Sequence, residues 1–104
     1  MRKGVLEMCI LALLAKEEMY TSDIIEKLKN SNLVVVEGTL YPLLTRLKNA
    51  ALLQYYWQES TSGPPRKYFK ITTDGITFLN ELKESWLEIN EAVSLTTQNQ
   101  IVHE

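Results

Sequence analysis

The chain is poor in the residues that staple or catalyse: it has one cysteine, one histidine, four glycines and three prolines in 104 residues. A single cysteine excludes a disulfide framework within the chain and any cysteine-based zinc site. Cys9 falls in an apolar helical pattern, which fits a reducing cytoplasm. His103 stands alone in a polar tail and has no nucleophile near it in sequence. There is no Gly-rich phosphate loop and no metal-ligand spacing, so the sequence reads as no enzyme, with no cofactor and no metal. Long apolar runs are missing too. Met8 to Ala15 is the longest, far short of the roughly 20 residues that cross a bilayer. No cleavage-site pattern follows it, and the expectation is no membrane partner and no export signal.

Acid and base are unevenly shared. The formal net charge is −2, but residues 1–70 hold ten Lys/Arg against seven Asp/Glu, while residues 71–104 hold one against six. The local field governs contact with phosphates, so an acidic end is compatible with a cationic head that touches nucleic acid. A chain of this length buries only a modest core, which makes association between copies a natural source of further stability.

Hydrophobic spacing divides the chain into four helices and a hairpin. Residues 2–16 place Leu6, Ile10, Leu13 and Leu14 on one stripe widened by Val5 and Cys9, and this first helix should be largely buried. Glu17 to Tyr20 reads as a connection, and Thr21 or Ser22 as the N-cap of a second helix carrying Ile24, Ile25 and Leu28. Asn30-Ser31-Asn32 ends it. Val34-Val35-Val36 is a brief extended lead into a third helix from about Glu37 to Ala50, with Pro42 just past the first turn, where a lost N–H bond costs least. Leu53–Glu59 and Arg66–Thr72 alternate as strands, with Ser60 to Pro65 as the turn. Leu53, Tyr55 and Trp57 share a face, as do the stem of Lys67, Phe69 and Ile71. Thr72 or Thr73 caps the last helix. Its residues Leu79, Leu82, Trp86, Ile89 and Val93 recur at spacings of three and four, a seam that asks for a second copy of itself.

The third helix carries the strongest functional signal. Leu40, Leu43, Leu44, Leu47 and Ala51 fall on one stripe, whereas Gly38, Pro42, Thr45, Arg46 and Asn49 lie opposite, with Thr39 on one edge and Tyr41 and Lys48 on the other. No acidic residue occurs between Glu37 and Glu59. A purely solvated face would carry Glu/Lys pairs; small residues, hydroxyls and a guanidinium suit close approach to phosphates and base edges. A partly buried core helix is the bland alternative. Arg66 and Lys67 make the strand after the turn positive, so the hairpin fits phosphate contact, though Pro64-Pro65 also reads as a plain rigid turn. Three helices followed by a hairpin is the order of a winged helix-turn-helix, whose third helix enters the major groove. The fold class expected is mainly α with a small β-hairpin, a winged helix-turn-helix over residues 1–72. A long C-terminal dimerisation helix follows over 73–95, then a polar tail, 96–104, expected to fray.

Gly38-Thr39-Leu40-Tyr41-Pro42-x-Leu44-x-Arg46-Leu47, followed by Gly63-Pro64-x-Arg66-Lys67-Tyr68-Phe69-x-Ile71-Thr72, resembles the PadR family of bacterial transcriptional regulators, in order and length over residues 2–95. One long terminal helix is similar to its short single-domain, LmrR-like subclass. The resemblance implies a homodimeric repressor on a roughly palindromic operator in double-stranded DNA. Gly38, Thr39, Tyr41, Pro42, Thr45, Arg46, Asn49, Arg66 and Lys67 are then the DNA-contact candidates. Leu6, Ile10, Leu79, Leu82, Trp86, Ile89 and Val93 are the candidates for the dimer interface. The chain departs from the family at Thr21-Ser22-Asp23-Ile24, where members commonly carry Gly-Tyr-acidic-Ile. Glu84-Ser85-Trp86 matches a segment of multidrug-sensing relatives whose paired tryptophans sandwich flat aromatic compounds, which makes Trp86 a candidate ligand platform for a planar aromatic effector. The other reading is that Trp86 simply fills the dimer seam. A winged-helix module that docks on protein and never touches DNA is the rival function; it requires an exposed aliphatic or aromatic cluster on the third helix.

Overall fold

A computed structural model describes residues 2–102, and the side chains of residues 4–98; His103 lies outside the described residues. The order is α1 (Arg2–Lys16), β1 (Met19–Tyr20), α2 (Thr21–Asn30), α3 (Glu37–Asn49), β2 (Leu53–Ser60), β3 (Gly63–Ile71) and α4 (Thr73–Val102). This is the winged helix-turn-helix with a long terminal helix that the periodicity predicts.

The apolar stripes meet in one core. Ile10, Leu11 and Leu14 of α1, Ile24 and Leu28 of α2, all four leucines of α3, and Leu53, Phe69 and Leu79 pack together with Met19. Burial of each such side chain contributes roughly 1.5–3 kcal/mol. Ala51, expected on the α3 stripe, instead lies beyond the helix end with φ of 64° and is exposed. Its left-handed backbone turns the chain into β2, a conformation more often given to glycine.

The sheet has three strands, not two, in the order β1-β3-β2. Met19 pairs with Phe69 and Tyr20 with Tyr68, so the expected connection between α1 and α2 is in part an edge strand. Two residues are too few to show alternation. The cap of α2 also moves: Tyr20 is the capping residue, and its N–H donates to Asp23 Oδ2 at 3.2 Å. The wing is tighter than its sequence suggests, because Ser60 pairs with Gly63 across Thr61-Ser62. Pro64 and Pro65 sit in the irregular register between that pair and Gln58–Arg66, where a missing N–H breaks no ladder bond. The expected faces hold: Leu53, Tyr55 and Trp57 lie opposite Ile71, Phe69 and Lys67.

α4 begins on a fixed joint. Thr72 Oγ1 donates to the Ala51 carbonyl at 2.7 Å and accepts from the Gly75 N–H at 3.0 Å, capping the helix. Gly75 is pressed so close to β2 that a Cβ there would stand 2.2 Å from the Leu52 carbonyl oxygen and 2.6 Å from Ile71 Cγ1. Past Leu82 every described side chain of α4 is exposed, and the helix runs on to Val102. The polar tail expected over residues 96–104 is helical as far as residue 102, with the threonine hydroxyls at 96 and 97 bonded back to the carbonyls of Ala92 and Val93. The protruding rod gives the chain its 62 Å length against 26 and 21 Å across.

Two of the residues expected at the dimer interface lie in the core of their own chain. Ile10 is wholly buried and Leu79 is 4% exposed, because the core of the same chain encloses them, so neither has surface left for a partner. Gly75→Ala is expected to destabilise the fold by about 1–3 kcal/mol through overpacking against backbone, outweighing the roughly 1 kcal/mol that alanine adds to a helix. Thermal unfolding followed by circular dichroism checks this; an unchanged or raised Tm contradicts the close approach.

Candidate nucleic-acid interface

With Leu40, Leu43, Leu44 and Leu47 turned inward, the rotation of α3 is set. Gly38, Thr39, Tyr41, Pro42, Thr45, Arg46 and Asn49 are all exposed. Gly38 faces open space, with nothing within 4 Å of where a Cβ would be. At the crest, Thr45 and Asn49 present a hydroxyl and an amide. These can donate to and accept from base edges, and the missing side chain at Gly38 lets a backbone come close.

The flanks of α3 serve two different clefts. On one side, Tyr41 joins Arg66 and Lys67 of the wing, the start of α2 and Trp57 around a cleft of about 390 Å³. The other side borders a groove of about 1260 Å³, where Gly38, Thr39, Pro42 and Arg46 face Trp86, Ile89 and Val93 of α4 across Val5 and Leu6 of α1. The expected DNA-contact residues thus border two clefts, one on each flank of α3. Arg46 belongs to the second side, and its Nη2 is paired with the Glu7 carboxylate of α1. Glu7 has no local pattern that announces this role, for the two residues are 39 apart in sequence.

Cations on the wing side are held by rings. Lys67 Nζ lies 4.5 Å from the Tyr55 ring centre and 5.6 Å from that of Trp57, Lys48 Nζ is 5.7 Å from Tyr55, and the Arg66 guanidinium is 4.6 Å from Tyr20. Tyr55 is itself fixed edge-on to Trp57 at 6.2 Å and against Phe69 at 5.7 Å. Quadrupolar ring faces attract a cation without neutralising it, so these charges stay available to phosphates. The remaining face of the sheet carries a column in which Tyr68 stacks on Tyr20 at 4.6 Å and lies 5.5 Å from Tyr56. Tyr56 donates to Glu18, whose carboxylate pushes the phenol up to about 12. Burial pushes the Cys9 thiol up as well, the opposite of what a reactive thiolate needs.

Among the described residues no group of His, Cys, Asp and Glu is arranged to hold a metal ion, and no helix is long and apolar enough to cross a membrane. Trp86 and Val93 are exposed, 39% and 53%, and Ile89 is 42% exposed. Leu6 and Leu82, by contrast, are half-buried against the core.

Known proteins resemble this chain in sequence and fold. The family model described as the transcriptional regulator PadR-like family matches residues 10–81. A PadR-like transcription factor from Bacteroid fragilis is 64% identical, with 92% of this chain and 93% of that one covered and a TM-score of 0.83. A PadR-like transcriptional regulator from Bacillus cereus is 39% identical over 92% of this chain and 94% of its own, with a TM-score of 0.81. An uncharacterised protein from Lysinibacillus sphaericus is 30% identical over 89% of this chain and 88% of its own. The chain belongs to the PadR-like family of transcriptional regulators.

Proposed function

We propose that this chain is a transcriptional repressor that works as a homodimer on a roughly palindromic operator, with α3 of each subunit in successive major grooves about 34–36 Å apart. The observation that carries this reading is the pairing of a small, polar crest on α3 with ring-held cations that have no carboxylate partner among the described residues, Lys48 at the end of α3 and Arg66 and Lys67 on the adjoining wing. Thr45 and Asn49 read base edges, and Lys67 and Lys48 take phosphates on either side of Tyr55. A protein-docking role is disfavoured by the same crest, which offers no aliphatic cluster and only Tyr41 as an exposed aromatic.

Pairing through α4 follows from what the rod leaves open. Trp86, Ile89 and Val93 are exposed along one stripe of a helix whose outer half touches little of its own chain, and an exposed apolar stripe of this kind suits an interaction surface. A second copy related by a two-fold axis covers it most simply. Leu82 and Leu6 can contribute from the margin; Ile10 and Leu79 cannot. A planar aromatic compound held beside Trp86 is the proposed effector. It can loosen DNA binding only as far as it prefers the subunit spacing that mismatches the operator.

Lys67→Ala is expected to weaken binding to all duplexes alike and to lower the slope of log affinity against log salt by about 0.9; fluorescence anisotropy at several salt concentrations measures both, and a loss confined to one sequence contradicts a phosphate role. Because Glu7 competes with DNA for the Arg46 guanidinium, Glu7→Gln should tighten duplex binding and Arg46→Ala should loosen it, each by up to about fivefold for an exposed pair. Equal affinities for both variants and wild type would remove Arg46 from the interface. Trp86→Ala should abolish quenching of tryptophan fluorescence by planar dyes while Trp57 still emits, and light scattering should show whether the dimer survives; quenching that persists places the ligand elsewhere.

A further inference from the structure

The cations of α3 and the wing fall into two sets. Arg46 and Lys70 are paired with carboxylates, Glu7 and Glu18, the latter at 3.9 Å. Arg66 has no such partner among the described residues, yet its guanidinium is held twice, over the Tyr20 ring at 4.6 Å and by donation from Nη2 to Ser22 Oγ at 3.0 Å. Tyr20 is firmly seated itself: its backbone pairs with Tyr68, its ring stacks on the Tyr68 ring, and its N–H is bound by Asp23. An exposed arginine fixed by a ring and a hydroxyl keeps its full formal charge. It also keeps most of its five N–H donors, since Ser22 uses one and a ring face uses none.

We propose that Tyr20 and Ser22 are positioning residues for Arg66, holding its guanidinium ready at the cleft between α2, α3 and the wing so that it meets a phosphodiester of duplex DNA without first being ordered. The proposal rests on the DNA-binding reading above. Glu37, Asp23, Glu17 and Glu18 are acidic groups near this cleft and the capping turn; Asp23 is occupied by the Tyr20 N–H, Glu18 by Tyr56 and Lys70, and none of them pairs with Arg66. Ordering a long side chain at the moment of contact lowers affinity by about two- to tenfold, and that factor is what Tyr20 and Ser22 remove in advance. The column of three tyrosines thereby gains a use: it anchors the ring that anchors the arginine.

Two measurements test this. In the free protein, the Arg66 Nε–Hε resonance should be shifted by the Tyr20 ring current and should move towards the free-arginine position in Ser22→Ala and in Tyr20→Leu. Tyr20→Phe, which keeps the ring, should leave it in place. An Arg66 resonance indifferent to both Ser22→Ala and Tyr20→Leu overturns the proposal. In anisotropy titrations with a labelled mixed-sequence duplex, Arg66→Ala should weaken binding and lower the salt slope by about 0.9. Ser22→Ala should weaken it about two- to tenfold in the wild-type background and leave it unchanged in the Arg66→Ala background, the coupling a double-mutant cycle isolates. Equal losses in both backgrounds, or no loss from Ser22→Ala, would overturn the positioning role while duplex binding stood. A wild-type protein that binds no duplex at all would overturn the DNA reading together with this one.

Discussion

Four leucines decide which side of α3 the outside world meets. Leu40, Leu43, Leu44 and Leu47 are each no more than 6% exposed, and turning the helix by a single residue, about 100°, would bring some of them into water at roughly 1.5–3 kcal/mol apiece. No polar contact on the opposite side could offset that. The crest of Gly38, Thr45 and Asn49 is therefore held by packing behind it, and the helix needs no ligand to adopt its orientation. The joint at Thr72 and Gly75 does the same for α4, fixing the direction in which the rod leaves the head.

Electrostatics then sorts the cations by the partner each one finds. A carboxylate neutralises a neighbouring ammonium or guanidinium; a ring face steadies it and leaves its field intact. Lys48, Arg66 and Lys67 have rings, while Arg46 and Lys70 have carboxylates. The positive edge is thus built on the wing side of α3, and the opposite flank is quenched by Glu7. A chain of formal net charge −2 can carry such an edge because its acidic excess lies on α4, beyond the head.

The two flanks of α3 also tie recognition to the rest of the molecule. Thr39, Pro42 and Arg46 border the same groove as Trp86 and Ile89, so under the proposed function a second copy's helix or a small aromatic compound seated there would touch residues of α3. No long relay through the core is needed for one to influence the other.

Much of this was legible in the sequence. Helix α3, the pairing faces of β2 and β3, and the exposure of the α3 crest all follow from apolar spacing, because periodicity records which side of an element must leave water; for α1 it gives the helix but not its whole face, since Leu11, off the expected stripe, is wholly buried. The family resemblance rested on two motifs that the structure places on α3 and the wing. What tertiary structure decided are the relations between distant residues. Met19-Tyr20 is too short to show a strand's alternation, and only its pairing with β3 makes it one. Ile10 and Leu79 share a pattern with exposed residues, but the core closes around them. Arg46 reads as a free cation until Glu7, 39 residues away, is folded against it, and Arg66 gains Tyr20 and Ser22 in the same manner. Spacing along the chain specifies which residues lie on one face; it carries no record of which faces meet, since that depends on how all the apolar stripes are buried at once.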